Sequence, residues 1–193
     1  MARSRTFDAD QALDKAMIVF WRNGYDGATM TDLTEAMGIN RPSLYAAFGN
    51  KEELFRRALQ RYGEVPSAYV AQALQRPTAR EAAEALLRGA ADLHTGAGTP
   101  AGCLAVQGAP TCGADSTQVG QALIAFRHAG ETAICERLER AQADGDLPAD
   151  ADPKALTDYL RTVVYGMAVK AASGATRDEL QRVVALTMRA WPR

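Results

Sequence analysis

An all-α chain is predicted by three observations. No run alternates with the period of two that a strand requires. Apolar residues recur at helical spacing along most of the 193 positions. Helix-start signals also repeat: Thr78 with Glu81, Asp152 followed by Pro153, and Thr176 with Glu179. The expected architecture is an N-terminal unit of three short helices, joined by a long exit helix to a larger helical region, about nine helices in all.

Taken in order, the first helix carries Leu13, Met17, Phe20 and Trp21 after a cap at Asp8 or Asp10, and Gly24 closes it. Leu33, Ala36 and Met37 share one face of a second helix, which Gly38 ends by supplying a positive φ. Asn40 is a good cap for a third, Pro42 sits in its first turn, and Leu44 and Phe48 face inward at i, i+4. Lys51 opens the exit helix through Leu54, Phe55, Ala58, Leu59 and Tyr62. Thr78 with Glu81 then opens a helix through Leu86 and Leu93, which ends in the loop from Thr95 to Pro100. Asp115 or Ser116 caps a long helix carrying Val119, Leu123, Phe126, Ile134 and Leu138, stopped near Gly145. Two further helices, about 153–172 and 177–191, close the chain.

Helices two and three, joined by a short turn containing glycine, form a helix-turn-helix, whose second helix enters the major groove of DNA. This arrangement leaves Arg41, Ser43 and Tyr45 facing outward. Arginine can donate twice to guanine, serine can bond a base edge or a phosphate, and the Tyr45 hydroxyl and Lys51 ammonium suit phosphate oxygens.

The run from Phe7 through FWRNGYDGATM, DLTEAMGINRPSLYAAF and FGNKEELF resembles the N-terminal DNA-binding domain of the TetR family of bacterial transcriptional regulators over roughly residues 6–66. That resemblance implies a DNA-binding domain at residues 1–50, extending through the linking helix to about 66, and an effector-binding and dimerisation domain at 67–193. It implies that the recognition helix spans Arg41 to Ala47, with Arg41, Pro42 and Ser43 facing the bases. Tyr45 and Lys51 would then hold phosphates, and Thr31 would meet the backbone near a helix N-terminus. Arg3 and Arg5 lie in a short arm that either reaches the DNA or is a solvated terminus. The implied partner is double-stranded operator DNA, bound by a homodimer whose last two helices pair with their mates in a four-helix bundle. Half-sites one turn apart, about 34 Å, tolerate little error in recognition-helix spacing, so an effector in the middle helices would release a repressor by favouring another dimer shape.

Composition sets outer limits. Net charge is -1, and residues 1–62 hold nine Lys or Arg against eight Asp or Glu, so attraction to phosphate must come from the placement of single side chains. No run approaches the roughly 18 apolar residues of a membrane span, and MARSRTFDAD lacks an apolar signal region, so the expected location is the cytoplasm without membrane association. Three cysteines without CxxC spacing fit a reducing compartment better than a disulfide framework.

The effector is the least legible part. Phe126, Tyr165 and Met167, with Leu86, suggest either an apolar pocket or plain core. Cys103, in the stretch PAGCL, sits where a loop feeds a helix N-terminus. There it is either a reactive thiol, with Cys112 as its resolving partner, or a small buried apolar residue. Cys135, beside Ile134, reads as packing. His94 and His128 are the only histidines and could join Cys103 in the alternative reading, a helical enzyme or carrier. Neither has the spacing of a metal site or catalytic motif, so no metal, cofactor or catalytic residue is expected.

Overall fold

The computed structural model describes residues 7–108 and 118–192, and every regular element within them is an α-helix. Arg3, Arg5, Cys112 and the cap at Asp115 or Ser116 lie outside the described residues. Ten helices are present among those described: α1 (Ala9–Gly27), α2 (Met30–Met37), α3 (Arg41–Phe48), α4 (Lys51–Glu64), α5 (Tyr69–Leu74), α6 (Ala79–Thr95), α7 (Leu104–Gln107), α8 (Gln118–Ala143), α9 (Pro153–Ala172) and α10 (Arg177–Arg189). The short α5 and α7 exceed the expected set, because six and four residues are too few for a 3.6-residue period to show.

Local chemistry accounts for the boundaries. Asp8 is the cap of α1, its carboxylate accepting from the backbone N–H groups of Asp10 and Gln11 at 3.0 and 3.1 Å. Thr78 with Glu81 and Thr176 with Glu179 form reciprocal capping boxes on α6 and α10, and Asp152 caps α9. Gly24 kinks α1 rather than ending it: at φ 67, ψ 178 it bends the chain, which continues to Gly27. That conformation is essentially confined to glycine, and a Cβ there would stand 3.2 Å from the carbonyl oxygen of Gln107.

Two cores hold the molecule together. The first joins Phe20, Trp21, Leu33, Leu44, Phe55 and Tyr62 of α1–α4, and extends to Cys103 and Leu104 at α7, Leu123 of α8 and Ala168 of α9. Core packing therefore does not divide at residue 66, and the turn at α7 is wedged against the N-terminal helices. The second gathers Leu86, Leu87, Ile134, Leu160, Met167 and Leu180 from α6, α8, α9 and α10. Arg137 ties α8 to the turn before α6, donating to the carbonyls of Leu74, Arg76 and Pro77 at 3.0–3.2 Å.

The apolar stripes of α9 and α10, the helices expected to pair with a second subunit, are largely inside. Leu160, Val164, Met167 and Ala171 on α9, and Leu180, Val184 and Met188 on α10, are buried against the second core. What stays outside is a sparser set: Tyr159, Val169 and Leu186 are 41%, 54% and 67% exposed, with Thr162 and Gly166 exposed between the first two.

Candidate nucleic-acid interface and ligand cavity

The geometry of α2 and α3 follows from their end residues. Thr29 caps α2 by a reciprocal box with Asp32, Gly38 closes it at φ 70, ψ 29, and Asn40 opens α3 by accepting from the Ser43 N–H at 2.9 Å. Leu44 and Phe48 are buried, which fixes the roll of α3 and turns the intervening residues outward. From α4, Arg57 donates to the Ala47 carbonyl at 3.2 Å and lies over the Phe48 ring, so the exit helix braces the last turn of α3.

The surface so presented holds the expected side chains. Thr31, Asn40, Arg41, Pro42 and Tyr45 are exposed, and Ser43 and Lys51 are half-buried. Tyr45 is 50% exposed. Arg41 donates to the Thr31 hydroxyl at 3.2 Å, so the N-terminal turns of α2 and α3 present their polar groups side by side. The N-termini of α2 and α3, with the positive ends of their dipoles, lie at this face. Lys51 lies 4.4 Å from the centre of the Tyr25 ring, and burial draws its pKa below the ordinary lysine range while nearby Asp26 opposes the shift. Thr31 is the second residue of its helix; the cap is Thr29.

Behind this unit lies a cavity of about 290 Å³ between α4, α5, α6, α8 and α9. His94, Cys103, Phe126 and Tyr165 line it, as do Tyr62 and Arg161. Met167 does not: it stands two residues past Tyr165 on α9, which turns it onto the stripe of Leu160 and Val164 and into the second core at 1% exposure. Leu86 lies in the same core. Cys112 is outside the described residues. His128 is exposed on α8, near the Thr132 hydroxyl at 3.3 Å and away from the cavity, and Cys135 donates to Glu139 at 3.6 Å on the same outer side. Cys103 and the two histidines therefore do not assemble into one cluster, and no three metal-ligating side chains come together among the described residues.

Burial controls the chemistry of the cavity wall. The Tyr62 hydroxyl donates to Cys103 Sγ at 3.2 Å, and burial, with Cys103 as the next cause, holds the phenol well above the ordinary tyrosine range. Tyr69 is raised for the same first reason. His94 is 1% exposed, its Nδ1 has no partner among the described residues, and desolvation lowers its pKa to about 4, so it is neutral near pH 7. Cys103 precedes a helix of a single turn and is 7% exposed, an apolar setting rather than a strong helix-dipole site.

The family model for bacterial regulatory proteins of the tetR family matches residues 12–58. The HTH-type transcriptional repressor ComR of Escherichia coli (strain K12) is 35% identical over 192 residues, covering 98% of this chain and 91% of ComR. The chain belongs to the TetR family. Another repressor of the same organism, BdcR, is 32% identical, with 95% of this chain and 89% of BdcR covered. The TetR family regulator CifR, solved as a cysteine mutant with 26-bp double-strand operator DNA, is 45% identical at a TM-score of 0.93, covering 98% of this chain and 100% of that one.

This TetR-family chain is thus a DNA-binding transcriptional regulator of the repressor type, and the alternative of an enzyme or carrier built on Cys103 and the histidines is set aside: its relatives are regulators. Sequence reasoning missed Arg161, Tyr69 and Tyr62 as cavity residues. The signal available for Arg161 was a lone cation four residues before Tyr165 in the otherwise apolar stretch LRTVVYGMAV. Tyr62 read as core alone, and it belongs to both the core and the cavity wall.

Proposed function

We propose that this regulator acts in the cytoplasm as a homodimeric repressor that leaves its operator when a small molecule fills the cavity or modifies Cys103. Residues 1–50, extending through the exit helix to about 66, serve DNA binding, and 67–193 serve effector binding and dimerisation. Arg41, Pro42 and Ser43 read base edges, with Asn40 holding the first turn of α3 in register. Tyr45, Lys51 and Thr31 hold phosphates. The outer faces of α9 and α10, with Tyr159, Val169 and Leu186, pair with the same faces of a second copy, as a two-fold operator requires.

The carrying observation is the Tyr62–Cys103 hydrogen bond. Tyr62 lies near the end of α4 and packs edge-on to Trp21 of α1 at 4.8 Å, and its other side forms cavity wall. A ligand that displaces Tyr62 therefore pushes on the helix whose Arg57 braces α3, which changes the distance between the two recognition helices of a dimer. The test begins with selection of bound fragments from genomic DNA by the purified chain. Release from the selected operator is then measured with an alkylating reagent for wild type and Cys103→Ser. Loss of release in the variant supports a thiol switch at Cys103, unchanged release excludes Cys103 as the switching thiol, and failure to enrich any fragment contradicts the whole reading.

A further inference from the structure

The cavity wall carries one cation and no carboxylate among its lining residues. Arg161 enters from α9 with its side chain 12% exposed, and its Nε is buried without a hydrogen-bond partner among the described residues. Its guanidinium stacks 4.5 Å from the centre of the Tyr165 ring and meets the Tyr165 hydroxyl. Glu131, 38% exposed, forms an ion pair with Arg161 at 3.9 Å from Nε, too long for a hydrogen bond, and accepts from the Tyr165 hydroxyl at 3.4 Å, so the Nε–H donor itself stays unused. A buried guanidinium with an unused donor is costly unless an acceptor completes its shell. On another wall His94 offers its unpartnered, almost fully buried Nδ1. The rest of the lining, including Val70, Leu74, Phe126, Ala133 and Val164, is apolar.

Resting on the reading of this cavity as the effector site, we infer that its ligand is a compact apolar monocarboxylic acid, with the carboxylate on Arg161 and the hydrocarbon body among the apolar side chains. Organic cations are disfavoured, because Arg161 repels them and no carboxylate lines the wall to receive them. At roughly 30 Å³ per solvent-sized unit, the volume admits a body of about ten non-hydrogen atoms. Arginine's planar fork suits a carboxylate better than any single-acceptor head.

The experiment is isothermal titration of the purified full-length chain with octanoate, 3-phenylpropanoate and benzoate, their primary amides, and octylammonium. At least one acid is expected to bind, with its amide weaker by about tenfold or more and the ammonium showing no binding. Arg161→Gln should erase the acid-over-amide preference, and Arg161→Lys should keep part of it. Binding by none of the acids, equal binding of acid and amide, or a preference retained in Arg161→Gln overturns the inference. Should Arg161→Gln lack a cooperative melt, the wild-type comparison with Arg161→Lys decides. Operator release is followed in parallel by fluorescence anisotropy: selective acid binding without release upholds the ligand class and contradicts the effector reading.

Discussion

His94 gives the regulator a pH-dependent stability whose size follows from its burial. The imidazole is 1% exposed and titrates near 4 in the folded chain, against a reference of 6.5. As pH falls, the unfolded chain takes up this proton first. Stability from this source is therefore complete above about pH 6.5, is lost progressively between 6.5 and 4, and falls no further once both states are protonated. At pH 4.5 the loss from this one group is about 2.5 kcal/mol relative to pH 8, a large share of a typical domain's stability. Carboxylates that are depressed in the folded state, such as Asp32 and Glu179 bonded to their helix caps, also lose stability in acid, so wild type alone does not isolate the histidine. His94→Gln removes the titration and keeps a neutral polar side chain. Urea unfolding followed by circular dichroism, at one protein concentration and at pH 8 and 4.5, should show the wild type losing about 2.5 kcal/mol more than the variant. Equal losses in the two proteins would refute the reasoning, since His94 would then be protonated in the folded chain.

Other perturbations address the remaining elements. Lys51→Ala should weaken binding to all duplexes and flatten the salt dependence of the operator constant by about one unit, as a lost phosphate contact does. Gly24→Ala forces a Cβ into a glycine-only conformation beside the Gln107 carbonyl, and should lower stability in urea by about 1 to 3 kcal/mol. Leu186→Glu puts a charge on the most exposed apolar side chain of α10. Sedimentation velocity should show a shift from dimer to monomer, while an unchanged boundary would remove α10 from the interface.

The parts of this fold legible in sequence are those dictated by local chemistry. Caps at Asn40, Thr78, Asp152 and Thr176 stop or start helices wherever they occur, and Leu44 and Phe48 set the face of α3 by spacing alone. Gly38 was readable for the same reason, since its backbone turn is set within a few residues. Illegible were features created by distant chain segments. The φ of Gly24 is held beside Gln107, more than eighty residues on, and α7 is a single turn stabilised by packing against α1 and α4. Periodicity could not tell which side of α9 meets the cavity, because Tyr165 and Met167 are both apolar-compatible and only the packing of α6 and α10 separates them. For Cys103 the sequence held two readings, sensor or packing. The structure places the thiol in the core and on the cavity wall at once.

The central claim, that the outward face of α3 reads the operator bases, is tested most directly by one comparison. Fluorescence anisotropy titrations of wild type and Arg41→Ala are made on the selected operator and on a scrambled duplex at the same salt. The expected result is a loss of about 1 to 3 kcal/mol on the operator, together with much the same weak binding of both proteins to the scrambled sequence. Equal affinities of the two proteins for the operator would contradict it.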